Sequence, residues 1–103
     1  SVGLPGKQSF KRVVLVDFPK AGTKSIGFVT GATQHNNENK LISVFIPTTP
    51  NPTTGFLIFT PEDEVIDSNL TVEEAFKILF SGGVLTPKDI TTSVKTVDKQ
   101  TSS

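Results

Sequence analysis

Val44-Phe45-Ile46-Pro47-Thr48-Thr49-Pro50-Asn51-Pro52-Thr53-Thr54-Gly55-Phe56 decides the fold. An apolar strand runs into a loop of prolines, threonines and one asparagine, and Phe56-Leu57-Ile58-Phe59 follows at once. Proline fixes φ and donates no backbone hydrogen bond, so Pro47, Pro50 and Pro52 cannot be ordinary members of a central ladder. A stiff, hydroxyl-rich loop therefore sits between two strands whose composition reads as core. Before it, Phe10 to Phe18 holds Val13-Val14-Leu15-Val16, a β-branched run suited to a strand buried on both faces. Pro19 to Thr23 is a turn. Ser25 to Thr33 alternates as a strand and carries Gly27 and Gly31, which signal a bulge or a close backbone approach. His35 to Lys40 is a polar hairpin tip, and Leu41 to Ile46 a third strand. Gly55 to Thr60 is a fourth, Pro61 to Glu64 a turn, and Val65-Ile66-Asp67 a short fifth.

One helix is expected, over about 71–81. Thr71 with Glu74 gives the T-x-x-E capping box. Val72, Ala75, Phe76, Leu79 and Phe80 fall on one stripe, and Gly82-Gly83 supplies the stop. Val84-Leu85-Thr86 reads as a last returning strand. The segments divide into a flexible lead-in (1–9), one globular domain (10–86) and a mobile polar tail (87–103). The fold class is α+β and β-rich. Five or six strands form a bent antiparallel sheet or small, partly open barrel with one covering helix.

Composition narrows the function classes. The chain has 103 residues, ten basic and ten acidic, with the charges interspersed. Nucleic-acid binding, which shows as a basic patch, is not expected. There is no cysteine, hence no disulfide or thiolate metal site. No apolar run approaches the roughly 20 residues of a membrane span. The eight phenylalanines supply all the aromatic bulk and read as core, because Phe has no polar handle.

The candidate site residues are Pro47, Thr48, Thr49, Pro50, Asn51, Pro52, Thr53, Thr54 and Gly55. Their hydroxyls and amide offer donors and acceptors beside a stiff backbone, which suits partner binding. The competing and slightly favoured reading has them bonding their own loop. Pro47 and Pro50 have P-x-x-P spacing, but a rigid loop packed on its own sheet is preferred to a polyproline ligand. His35, the only histidine, reads as a solvated loop residue rather than a metal ligand. Glu62, Asp63, Glu64 and Asp67 read as a solvated acidic turn with no calcium-loop pattern. Asn69-Leu70-Thr71 fits a glycosylation sequon, but Thr71 is already used as a helix cap. No phosphate loop and no acylating triad is visible, so no cofactor, metal or catalytic residue is expected.

Four segments resemble a known family: Lys11 to Lys20, Ser25 to Gly31, Val44 to Phe56, and Leu70 through Gly83. They are similar to the widespread family of uncharacterised membrane proteins that includes the plant CONTINUOUS VASCULAR RING-like proteins. Thr23-Lys24 departs from it, because the family often carries a more apolar pair there. The resemblance implies two membrane-spanning helices ahead of a soluble domain, so membrane contact would come through an anchor absent from this chain, with the domain on the cytoplasmic face. It implies no activity.

Three functions follow as expectations. The first is a membrane-tethered, non-enzymatic interaction or scaffold domain with an unknown protein partner and room for a homo-oligomer contact. The second is a small-molecule-binding or regulatory domain with a pocket between the loop and the 27–31 strand. A metal-assisted hydrolase is a distant third.

Overall fold

Val13, Val14, Leu15 and Val16 are all buried, on both faces of strand β1 (Arg12–Asp17). The computed structural model describes residues 12–35 and 39–91, so the expected lead-in, the hairpin tip at 36–38 and the tail from 92 lie outside the described residues. β2 (Lys24–His35), β3 (Asn39–Pro47), β4 (Gly55–Thr60) and β5 (Val65–Asp67) complete the sheet. A single 3₁₀ turn, Glu62–Glu64, precedes β5, and helix α1 (Val72–Phe80) follows it. The strand order is β4-β3-β2-β1-β5, and every neighbouring pair is antiparallel.

The two edge strands are consecutive in sequence, joined only by Pro61–Glu64. In a flat sheet they would lie about 19 Å apart, four strand spacings. Five Cα steps reach about 18 Å when fully extended, and the 3₁₀ turn shortens them. The sheet is therefore curled, but it is not closed. Its concave side gathers Val14, Val16, Ile42, Val44 and Ile46, with Phe18, Val29, Ile58 and Val65 against them. All five strands contribute.

The other side carries the helix. Val13 and Phe28 pack with Leu70, Ala75, Ile78 and Leu79, joined by Ile26, Phe45, Val72, Phe76 and Ile90. Phe28 and Phe76 stack with ring centroids 5.2 Å apart. The capping box forms as its sequence requires: Glu74 N–H donates to Thr71 Oγ1 at 3.0 Å, and Thr71 N–H donates to Glu74 Oε1 at 2.9 Å.

Two sequence expectations are corrected. Phe56, Phe59 and Phe80 are 55%, 53% and 62% exposed, so not all phenylalanines are core. Phe59 lies on the helix side of β4, and the helix-side cluster draws on β1, β2 and β3 and on no residue of β4; Phe56, on the other face, meets Phe18 at the sheet edge, and Phe80 ends the helix with its ring beside Phe76. Val84-Leu85-Thr86 is no strand; it lies in and just after the turn that ends α1, with Val84 82% exposed. The chain after Pro87 remains attached over its first residues. Asn69 N–H donates to Ile90 O at 3.2 Å, Ile90 packs on the helix cluster, and Thr91 bridges Ser68.

The two strand glycines have different causes. A Cβ on Gly27 would lie 2.4 Å from Val44 Cγ1. Val44 fills that space in the concave core. Near Gly31 the β2–β3 register shifts between Val29 and Gly31, so Thr30 is the extra residue of a bulge. Its Oγ1 lies 2.8 Å from Ser43 Oγ. A Cβ on Gly31 would meet only Ser43 Oγ, at 3.3 Å.

Arg12 fastens the β1–β5 edge. Its Nε donates to Asp67 Oδ1 at 2.8 Å, and its Nη2 to Glu62 Oε2 at 2.7 Å. This hydrogen bond holds the Glu62 carboxyl below its usual range. Asp17 is lowered by its hydrogen bond from Lys24 and then by the Gly22 backbone.

Two outcomes are expected in denaturation. Gly27→Ala overpacks the concave core and costs about 1–3 kcal/mol, whereas Gly31→Ala changes stability by less than about 1 kcal/mol; urea midpoints of the two variants check this. A folded-state carboxyl pKa below the unfolded value of about 4.3 adds stability above that pH and loses it as the pH falls through the folded value. Glu62 therefore contributes a drop in melting temperature on acidification from pH 6 to pH 3. Arg12→Gln lowers the plateau by less than about 1 kcal/mol and flattens that drop, because the pair is exposed.

Candidate functional site

Pro47, the last residue of β3, pairs with Gly55, the first of β4, and loop 48–54 spans the gap between them. Thr48 N–H donates to Thr54 O at 2.9 Å. The Thr48 hydroxyl donates to Asn51 O at 2.7 Å and lies 2.9 Å from Thr54 Oγ1. Asn51 Oδ1 accepts from Thr53 N–H at 3.2 Å and from the Thr53 hydroxyl at 2.8 Å, a local turn of the kind asparagine favours. The peptide bond between Thr49 and Pro50 is cis. Each of these polar side chains is engaged within the loop or, for Thr49, by the helix.

The Thr49 hydroxyl donates to Leu79 O, in the last turn of α1. That turn closes in a Schellman arrangement: Gly83 N–H donates to Ile78 O at 2.9 Å and Gly82 N–H to Leu79 O at 3.1 Å. Gly82 and Gly83 have φ of 64° and 93°, which L-residues rarely adopt. Loop and helix end are thus one connected feature.

Between them lies an open pocket of about 240 Å³, floored by Ile26, Ile46, Ile78 and Leu79 and rimmed by Ser25 and Thr49. Pro47, Gly82 and Gly83 complete its wall. It has no titratable side chain. Both hydroxyls are committed, Ser25 Oγ to Phe18 O at 2.8 Å and Thr49 to the helix. The pocket offers apolar contact and backbone groups, not proton transfer. It reaches β2 at Ser25-Ile26 rather than at 27–31.

The remaining sequence candidates scatter. Pro47 and Pro52 are buried while Pro50 is exposed, so the P-x-x-P pair does not present two rings together. His35 ends β2 opposite Asn39, and its side chain lies outside the described features. Glu62 and Asp67 of the acidic turn bind Arg12 rather than standing free in solvent. Among the described residues, no group of three or more His, Asp or Glu side chains is placed to hold a metal ion. Sequence reasoning missed the helix end as a wall of the site. Thr49 and Leu79 are thirty residues apart, and no local signal joins them.

The profile of the family described as "Protein of unknown function (DUF502)" matches residues 2–54. The chain is 32% identical over 101 residues to "Protein CONTINUOUS VASCULAR RING 1" of Arabidopsis thaliana, covering 92% of this chain and 37% of the relative. It is 32% identical over 88 residues to "Protein LIKE COV 1" (82% and 34%) and 30% identical over 95 residues to "Protein LIKE COV 2" (88% and 36%), both also of Arabidopsis thaliana. The chain spans about a third of the length of these relatives. No solved structure matches it.

Thr49→Val removes the only side-chain bond from the loop to the helix end seen among the described residues. It is expected to cost about 1 kcal/mol and to speed amide exchange at Gly82 and Gly83. Thr53→Val, exposed and purely local, costs less than about 0.5 kcal/mol and leaves those amides unchanged. Native-state hydrogen exchange distinguishes the two.

Proposed function

The chain belongs to the DUF502 family, and on that premise we propose that it is a non-enzymatic interaction or scaffold domain of a larger, membrane-tethered protein, presenting loop 47–55 to a protein partner. The observation that carries this reading is the state of the loop. Its hydroxyls and amide are spent on its own backbone and on the helix, so it holds one shape, while Thr48, Pro50, Asn51, Thr53 and Thr54 remain exposed. A surface that is ordered before binding loses little entropy when a partner docks. Membrane tethering rests on the family resemblance, with the anchor supplied by the part of the protein that this chain does not span. The lack of any acid–base or nucleophilic grouping around the loop and pocket favours recognition over catalysis.

The 240 Å³ pocket favours a second reading, a small-ligand or regulatory site. It lies below the roughly 300–1,000 Å³ of typical ligand sites and offers no free polar side chain to orient a guest, which places this reading second.

Affinity capture from detergent-solubilised native membranes tests both. The baits are the wild-type chain and a Thr53→Arg variant shown to melt within a few degrees of it. A protein retained by the wild type and lost by the variant is the expected result. Equal retention by both baits overturns the role of the loop. If instead a metabolite extract shifts the amide resonances of Ser25, Ile26 and Gly82, the pocket takes over.

A further inference from the structure

We propose that the outer edge of β4 is a self-pairing surface, joining two copies of this chain as an antiparallel β4–β4 ladder about a two-fold axis at Leu57. This inference rests on β4 and not on the role given to the loop, with which it shares only Gly55.

The backbone supplies the first argument. In an antiparallel pair, bonded and non-bonded positions alternate. Thr48 N–H donates to the directly opposed Thr54 O, so Ile46–Phe56 and Val44–Ile58 are bonded pairs, while Pro47–Gly55, Phe45–Leu57 and Ser43–Phe59 are not. Pro47, which has no N–H, falls on a non-bonded position, as it must. The N–H and C=O groups of Gly55, Leu57 and Phe59 therefore point away from β3, to the outer edge. No described strand pairs with that edge.

The side chains supply the second. Proteins blunt exposed edges with charge, proline, bulges or shortness. The opposite edge follows that rule: β5 has three residues, ends in Asp67, and is held by Arg12. β4 does not. Its six residues, Gly55 to Thr60, carry no charge and no proline, and Phe56, Leu57 and Phe59 are 55%, 60% and 53% exposed. Leu57 lies beside Phe45, which packs on the helix cluster, so Leu57 and Phe59 extend that apolar face beyond the reach of α1.

The third is self-complementarity. A two-fold axis at Leu57 sets Leu57 opposite its own copy and Phe59 opposite Gly55. A phenylalanine lying across a strand glycine covers the gap the glycine leaves. All three outward-facing residues then find partners, and no charge meets a like charge.

Area sets the strength. Full burial of an aromatic covers roughly 150–250 Å², so the exposed portions of three apolar side chains give roughly 300 Å² per copy. Two copies give about half of the 1,200 Å² or so at which stable interfaces begin, the remainder coming from the paired backbone. The expected dimer is weak in isolation, with a dissociation constant on the order of tens of micromolar or above.

Sedimentation of the 103-residue chain between 5 µM and 1 mM, with amide exchange at both limits, tests the proposal. Expected are a monomer–dimer equilibrium and amides of Leu57 and Phe59 that slow as the dimer fills. Phe56 and Ile58, bonded to β3, stay slow throughout. Leu57→Lys places two cations face to face on the axis and should weaken dimerisation at least tenfold. Being an exposed site, it should leave the melting temperature of the monomer close to that of the wild type. A monomer at 1 mM with fast exchange at Leu57 and Phe59 overturns the proposal. So does protection of those amides at every concentration, which would mean the chain covers its own edge. A dimer indifferent to Leu57→Lys overturns it as well, by placing the interface elsewhere.

Discussion

Four consecutive apolar residues in one strand cannot be hidden by a single layer. Val13 and Leu15 face one way and Val14 and Val16 the other, so β1 needs cover on both sides. The rest of the architecture follows. One face receives the helix, whose stripe of Ala75, Ile78 and Leu79 meets Val13 and Phe28. The other face has no second sheet or helix among the described elements, and it is closed by bending the sheet upon itself. The short link between the edge strands and the glycine at position 27, which makes room for Val44, are both conditions of that bend.

Periodic and punctuating residues carried most of the fold. The run at Val13–Val16, the T-x-x-E box at Thr71 and the glycine pair at Gly82-Gly83 each act through neighbours a few residues away, so their meaning can be read locally. The prolines likewise marked the limits of the β3–β4 ladder. Features that depend on distant partners were hidden. Phe56 and Phe59 have the composition of core strand residues, and nothing local says that β4 is an edge strand. Val84-Leu85 has the composition of a strand, but the chain leaving the glycine pair turns instead of extending.

The loop's residues were legible as loop-formers, and its geometry was not. Asn51 and the threonines were recognisable as loop-formers because such side chains bond nearby backbone. The link from Thr49 to the helix end depends on how the sheet and helix stack, and so did the pocket floor of Ile26, Ile46, Ile78 and Leu79. The acidic turn was similar: Glu62 and Asp67 read as solvated until the bend brings Arg12, fifty and fifty-five residues earlier, beside them.

The pairing of β1 with β5 has a consequence for the chain as it is made. The family profile ends at residue 54, but β5 and the helix, which complete the cover of the strand it opens with, come later. A nascent chain that has reached Gly55 holds Val13 and Phe28 with no helix over them and Val14 and Val16 without the turn that draws the bend together. Loop closure across such separations must precede the contacts that reward it. The three-strand meander can form early, but it stays an exposed apolar sheet until Asp67 and then Leu79 have emerged. The matched stretch thus ends before the residues that finish the cover of its first strand.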